Sequence, residues 1–438
     1  MTQASPLKAA SLAQPESALL WWWAHLAEGA PGCWQGFRDY VRDRRVLNYL
    51  TLDTTGACDL TCAQMCYYNP AIDLRHREVD QILIERAISD AVEHLRLQTV
   101  VFAGKEPFLN PRRLFGLLNH CGPASGRTYR TGVITNGRHF DHHWSSFSEL
   151  AGRGCIDYLD ISIDSVDPAQ HDLYRGVPET WQKAISGAKR IRSEFPGVDL
   201  TIPSVLRNDN RQGILGLIEM CSPWCSLFQI QPIQPPPYSS LQPLRADYIV
   251  RVIDDLVNIL GTRLSGCGIT VSVELIGLYL LECQHRGFFG WNEIREDSNA
   301  TLAAQAEVAG NRIIFQTEVF PLQAWKLARI LYDGTYLAHM HFLQDPNPWR
   351  LATGSLCESS IIELFERATS PGSYFDQVIA SRQHHECIPR PCWANCFGLW
   401  NGAENSFVSN VPLTKQPPLC QKTRADFELL QTSELLRP

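Results

Sequence analysis

Between residues 45 and 235, short apolar runs alternate with longer segments whose apolar residues recur every three or four positions. The runs VLNYLTLD, QTVVFAG, YRTGVIT, IDYLDISID, VDLTIPSV and SLFQIQPI are rich in β-branched and aromatic residues, as strands inside a parallel sheet are. The intervening EVDQILIERAISDAVEHL, NPRRLFGLLNHC, HWSSFSELAGRG, ETWQKAISGAKRIRSEF and RQGILGLIEMC carry a helical period. Alternation of the two kinds predicts βα units and an α/β fold built on a parallel sheet. The proline-rich QPIQPPPYSSLQP ends the alternation and marks a domain boundary. Beyond it the pattern predicts a helix over ADYIVRVIDDLVNIL, a weakly patterned stretch, and a hairpin in RILYDGTYLAHMHF that turns at Asp333-Gly334. Near the start, Trp21, Trp22 and Trp23 open a short apolar helix expected to cap the bottom of the core. The expected division is 1–44 as a helical extension, 45–235 as the α/β core, 236–310 as a linker helix and bridging region, and 311–438 as a further, cysteine-rich domain.

A chain of 438 residues with 45% hydrophobic and 19% charged residues has the composition of a globular protein with an ample core. The formal net charge of −7 disfavours a nucleic-acid partner and mildly favours a cationic small substrate. Fifteen cysteines without a basic-then-apolar leader suggest a reducing compartment, so the expected location is cytoplasmic, with thiols open to metal. The tryptophan-rich helix is too short to span a bilayer, and no membrane partner is expected.

Cys58, Cys62 and Cys66 stand in the run TTGACDLTCAQMCYYNP directly after the first strand. Three soft thiolates on one short loop suit an iron–sulfur cluster and leave one iron without a protein ligand, where a small molecule can bind. The competing reading is three unrelated buried thiols. The loop resembles that of the radical S-adenosylmethionine (SAM) enzymes, in which three cysteines hold a [4Fe-4S] cluster and SAM chelates the fourth iron. The commoner C-x3-C-x2-C spacing would put the third cysteine at Met65; here it is Cys66, in a C-x3-C-x3-C variant. Met65 thereby stands where the family usually has an aromatic near the adenine. The resemblance implies a partial (βα)6 barrel with the N-terminal extension before it, and the cysteine loop at the C-terminal strand ends where active sites of parallel barrels lie.

After the second strand comes Gly104-Lys105-Glu106-Pro107. Taken alone this is an ordinary βα loop, but the family has a GGEP motif here, and Lys105 departs from it. The resemblance assigns Gly104, Lys105 and Glu106 to SAM, with Glu106 on the ammonium of its methionine moiety. By the same resemblance Ser162 and Asp164, at the end of the fourth strand, face the ribose side, and Arg175 holds the SAM carboxylate, for which a guanidinium is geometrically suited. Each of these is otherwise a surface or capping residue. Asn136 at the third strand's end, Asn208 after the fifth and Gln231 near the end of the sixth complete the candidate cofactor contacts.

Cys357, Cys387, Cys392 and Cys396 form a second group toward the C-terminus. With the preceding hairpin they resemble a SPASM or twitch domain, though the C-x4-C-x3-C spacing is not the full pattern, implying at most one auxiliary [4Fe-4S] cluster, with these four as the expected ligands and Cys283 as a possible substitute. Structural zinc is the competing occupant of four thiolates. Cys221 and Cys225, one turn apart on a helix, are expected in the core.

The resemblance implies reductive cleavage of SAM to methionine and a 5'-deoxyadenosyl radical, with electrons from a flavodoxin- or ferredoxin-type donor. The cysteine spacing and incomplete SPASM-like tail resemble the radical SAM diol dehydratases of aminoglycoside antibiotic biosynthesis. That implies dehydration of a vicinal diol on a paromamine-like aminosugar, with C3' deoxygenation and an NADPH-dependent reductase acting on the ketone. The alternative is a SPASM-type maturase of a ribosomal peptide, although the segment before the first strand is short for the peptide-binding domain such maturases commonly carry. A non-catalytic electron-transfer protein is the reading from a different class. Among Glu274, Glu318 and Tyr336 in the second half, nothing in the pattern selects a catalytic residue.

Overall fold

The structure is a computed structural model that describes residues 33–373 apart from 63–64, 67, 69–77, 124–125, 234–238, 242–243, 276–278, 280–282, 284–285, 291–292, 297–300, 318–324, 339–342 and 344–346, together with 400–401 and 406–407. The elements in chain order are α1 (Cys33–Arg44), β1 (Tyr49–Asp53), α2 (Gln81–His94), β2 (Thr99–Ala103), α3 (Pro111–His120), β3 (Arg130–Thr135), α4 (Phe140–Gly152), β4 (Tyr158–Ile161), α5 (Pro168–Arg175) and α6 (Thr180–Glu194). There follow β5 (Asp199–Leu206), α7 (Arg211–Cys221), β6 (Leu227–Pro232), α8 (Ala246–Gly261), β7 (Thr270–Glu274), β8 (Arg295–Glu296), β9 (Leu302–Val308) and β10 (Asn311–Thr317). Last come β11 (Leu327–Ile330), β12 (Thr335–Leu337), β13 (Gly354–Ser355), α9 (Ile361–Thr369) and the small pair β14 (Trp400–Asn401) and β15 (Ser406–Phe407).

The strands from β1 to β6 pair in sequence order and in parallel, as the alternation predicts. This is an α/β fold with the parallel sheet that the resemblance implies, and antiparallel strands from the C-terminal half are attached to it. The sheet runs on past six strands. β7 adds in parallel to β6 and β10 in parallel to β7, while β11 adds in parallel to β1 on the other flank. Antiparallel strands finish each side: β12 and β13 beyond β11, and β9 and β8 beyond β10. The expected hairpin at Asp333-Gly334 is β11–β12, and its first strand is a member of the barrel sheet. Neither β7 nor the β9–β10 hairpin, which turns through Ala309 and Gly310, was anticipated from the pattern.

Local chemistry sets the helix starts. Asp80 accepts from the Ile82 N–H (3.0 Å) to begin α2, and Asp167 accepts from Ala169 (2.9 Å) before Pro168 opens α5. Ser360 and Glu363 cap each other at α9, which packs on α1 and α2.

Burial alternates along β1, β4 and β6. Leu50, Leu52, Leu159, Ile161, Phe228 and Ile230 are fully buried beneath the helices, whereas Tyr49, Thr51, Tyr158, Asp160, Gln229 and Gln231 are half-buried. The second set lies on the opposite face of each strand, so the inner side of the sheet, the lumen, carries these polar groups beside apolar neighbours in register such as Val101, Ile134 and Val205. Its N-terminal end is narrowed by Tyr49 and Tyr158, whose hydroxyls are 2.9 Å apart. Among the described residues no helix is long and apolar enough to cross a membrane.

Tyr158 lies flat against Gly132, where an added Cβ would fall within 2.1–2.4 Å of three ring atoms. Gly132→Ala should therefore displace a ring held by Tyr49 and lose about 1–3 kcal/mol of stability, read as a lower urea midpoint than wild type.

Candidate active site at the strand C-termini

The loop after β1 is fastened on both sides. The Glu106 N–H donates to the Ala57 carbonyl (3.0 Å), and the Thr61 N–H and hydroxyl donate to the carbonyls of Arg175 (3.2 Å) and Gly176 (3.3 Å). Gly176 ends α5 at φ 74°, and a Cβ there would meet Thr61 Oγ1 at 2.1 Å. Gly104 has φ 104°, and its missing side chain lets the loop after β2 touch the backbone of Thr54 and Thr55.

Cys58, Cys62 and Cys66 are half-buried and lie within each other's electrostatic reach. Burial pushes the Cys58 thiol up to about 12, and Cys62, Glu106 and Cys66 add to the rise. Burial and Cys62 push Cys66 up, opposed by Lys105 and Arg175. Arg175 donates a hydrogen bond to Cys62 and pairs with Asp164 at 2.8 Å. Two cations therefore stand where negative charge on the thiols would develop. Asp59, beside Cys58, accepts from Asn136 Nδ2 (3.0 Å), from Arg138, and meets His139 Nε2 at 3.1 Å. This ties the loop to the end of β3.

The other predicted positions fall around the same mouth, with differences of role. Glu106 is fully buried, accepting from Phe108 N–H (3.2 Å), Thr135 Oγ1 (2.7 Å) and Asn136 N–H (2.8 Å); burial pushes its carboxyl up to about 7 despite these donors. In this arrangement it joins the ends of β2 and β3 and presents no exposed oxygen. Asp164 is likewise buried, accepting from the Val205 N–H (3.0 Å) beside Arg175. His171 accepts from the Asp164 N–H, and burial with Arg175 nearby lowers it to about 4, so it is neutral near pH 7. Ser162 and Gln231 are half-buried at the ends of β4 and β6. Asn208 is exposed, and the asparagine that braces these strands is Asn210, which donates to the carbonyls of Asp164 (3.1 Å) and Val205 (2.8 Å). Met65 Sδ is 3.6 Å from a guanidinium nitrogen of Arg207, which stacks 4.0 Å over Tyr174.

A buried triad links the cysteine loop to β11, the strand paired with β1. Arg329 donates to Asp53 (2.6 Å) and to the Tyr68 hydroxyl (2.7 Å), and Tyr68 donates to Asp53. Tyr68 follows Cys66 by two residues, and Lys105 lies 5.5 Å over its ring.

Residues 52–221 match the sequence model of the family described as the Radical SAM superfamily. Over this stretch the chain is similar to the radical SAM domain. No curated protein matches the chain at a significant level. Among solved structures, native anSMEcpe with bound AdoMet aligns over 87% of this chain and 96% of its own at 16% identity and a TM-score of 0.56. The same protein with AdoMet and Cp18Cys peptide aligns over the same shares at 15% and 0.53. At these identities they show the fold alone. BtrN in complex with AdoMet and 2-DOIA covers 80% of this chain and 93% of its own, at 10% identity and a TM-score of 0.37 that carries no argument.

A radical SAM domain implies a [4Fe-4S] cluster and SAM, and the thiols here fit that cluster by chemistry. Among the described residues no ligands already converge on a single metal ion. A four-iron cluster does not ask that of them, because each thiolate takes a different iron. What it asks is soft donors on one loop with cations nearby to offset its charge, and Lys105 and Arg175 supply those. In the second group Cys357 is exposed and Cys283 is buried in the core, as are Cys221 and Cys225. Cys387, Cys392, Cys396 and Glu318 lie outside the described residues. Tyr336 is buried on β12, and Glu274 is half-buried at the end of β7.

Sequence reasoning missed Asp53, Asp59, Tyr68, Asn210 and Arg329. Only Asp53 left a signal, an acid closing an apolar strand that could not be buried without a partner. Arg329→Met should cost about 3–5 kcal/mol by stranding the buried Asp53 carboxylate. The double variant Asp53→Leu/Arg329→Met should recover much of that loss in urea denaturation; equal losses in the single and double variants would show that the two are not coupled.

Proposed function

We propose that the chain is a radical SAM diol dehydratase that removes water from a vicinal diol of a paromamine-like aminosugar. The observation that carries the substrate class is the lumen under the cysteine loop, where Thr51, Tyr158, Asp160, Gln229 and Gln231 offer hydroxyl, amide and carboxyl groups. A sugar with many hydroxyls enters such a space without losing the hydrogen bonds it made to water. The net charge of −7 suits a polyamine.

Cys58, Cys62 and Cys66 would hold the cluster, with Lys105 and Arg175 offsetting its charge. Bound there, the cluster and SAM supply a one-electron cleavage that yields a primary carbon radical able to take hydrogen from substrate. Arg175 and Ser162 would meet the SAM carboxylate and ribose, and Glu106, which accepts from the Asn136 N–H, would hold the loop around them. On the substrate, hydrogen loss beside a hydroxyl makes that hydroxyl strongly acidic, and the neighbouring hydroxyl leaves as water. One further electron and a proton complete a deoxy-ketone, so a flavodoxin- or ferredoxin-type donor supplies two electrons per turnover and an NADPH-dependent reductase consumes the ketone. An auxiliary cluster on Cys357, Cys387, Cys392 and Cys396 belongs to the same proposal.

Cys66→Ala should abolish 5'-deoxyadenosine formation while the protein stays folded by circular dichroism; full turnover in that variant would exclude Cys66 as a ligand. Paromamine deuterated at C4' should pass its label into 5'-deoxyadenosine and give a product one water lighter by mass spectrometry. Label transfer from a peptide, and none from paromamine, would replace the aminosugar assignment with peptide maturation.

A further inference from the structure

Polar groups on the lumen face of β4 stand in successive rungs. Tyr158 forms the lowest with Tyr49, Asp160 stands above it in register with Ile134 of β3 and Thr201 of β5, and Ser162 follows at the strand's end. The Thr201 hydroxyl donates to the Asp160 carboxylate. Among the described residues no lysine, arginine or histidine forms an ion pair with Asp160. Arg130, whose charge reaches it, is committed to Asp199 at 2.6 Å.

The contrast with the neighbouring acids is plain. Asp53 has Arg329 at 2.6 Å, Asp164 has Arg175 at 2.8 Å, and Glu106 has two N–H donors and a hydroxyl. Asp160 has one hydroxyl and stands on the half-buried inner face of β4. Desolvation raises its carboxyl to about 7, which marks the site as short of positive charge. A structural role of fastening β4 to β5 needs only a hydrogen-bonding side chain, for which asparagine would serve as well.

We propose that Asp160 is an ammonium subsite within the lumen, holding an amino group of the substrate one rung below Ser162. The inference rests on the aminosugar reading and adds to it which group of this chain reads the amine. An amine anchored there leaves the remainder of the sugar directed toward the cysteine loop, where hydrogen is removed. Asp160 would thereby select amines over neutral sugars of the same shape.

The test pairs Asp160→Asn with N-acetylation of the ligand, using paromamine and its N-acetylated form in calorimetric titrations of the reconstituted enzyme. Wild type should lose about 30-fold or more in affinity on N-acetylation, and the variant should bind both forms with similar, weak affinity. Equal loss for both ligands in the variant would overturn the subsite, because a structural defect does not discriminate ligand charge. If Asp160→Asn does not fold, wild type alone decides: equal affinity for the two forms, or no binding of either, overturns the proposal. Dehydration of paromamine by Asp160→Asn with wild-type KM would sink the subsite and leave the reaction standing. Charge-dependent binding lost with Asp160, without label transfer to 5'-deoxyadenosine, would keep the subsite and sink the reaction.

Discussion

The ion pair between Asp53 and Arg329, with Tyr68 hydrogen-bonded to both, is the constraint on which the mouth of the barrel depends. Asp53 is the last residue of β1 and Tyr68 is the return of the cysteine loop, so one guanidinium fixes both ends of that loop. Burial pushes the Asp53 carboxyl up, and the adjacent arginine holds it back. A charge in that position is tolerable only because β11 lies beside β1. The C-terminal half is thus part of the site's framework through backbone pairing as well as through a side chain.

The same logic orders the other strand ends. The acids at these ends meet donors from a neighbouring element: buried Asp164 from β5 and α5, buried Glu106 from β3, and half-buried Asp59 from the turn after β3. These bonds stitch consecutive βα loops into one rim, and the thiols sit on that rim with cations on two sides. Rigidity at the rim and openness in the lumen are complementary. The outer faces of the strands are sealed by helices, while the inner faces keep their polar groups available to a ligand.

The strands of the barrel were legible because short runs rich in β-branched and aromatic residues alternate with segments of helical period. β7, as TVSVE, and β10, as NRIIFQT, mix polar and apolar residues as strands near an open flank do, and their pairing depends on contacts the pattern does not carry. The helix α5 is only PAQHDLYR, too short to show a period, although Asp167-Pro168 and Gly176 bracket it with standard start and stop residues. The cysteine loop, the loop of Glu106 and Arg175 were readable from spacing and resemblance. Asn210, which braces β4 and β5, was missed because two asparagines flank one aspartate and only the backbone path decides which turns inward. Arg329 could not be found, since its partner lies 276 residues earlier and a lone arginine on a short strand has no distinguishing neighbour.

That separation sets a schedule for biosynthesis. At about 5–20 residues per second, a ribosome takes roughly 14–55 s to advance from Asp53 to Arg329. Throughout that interval β1 is an edge strand and its terminal acid has no counter-ion. The nascent cysteine loop thus has its contacts to the loops after β2 and β3 and to α5 before it has the contact that joins both its ends. The early-synthesised loop therefore gains this anchor only once the late-synthesised β11 has been made.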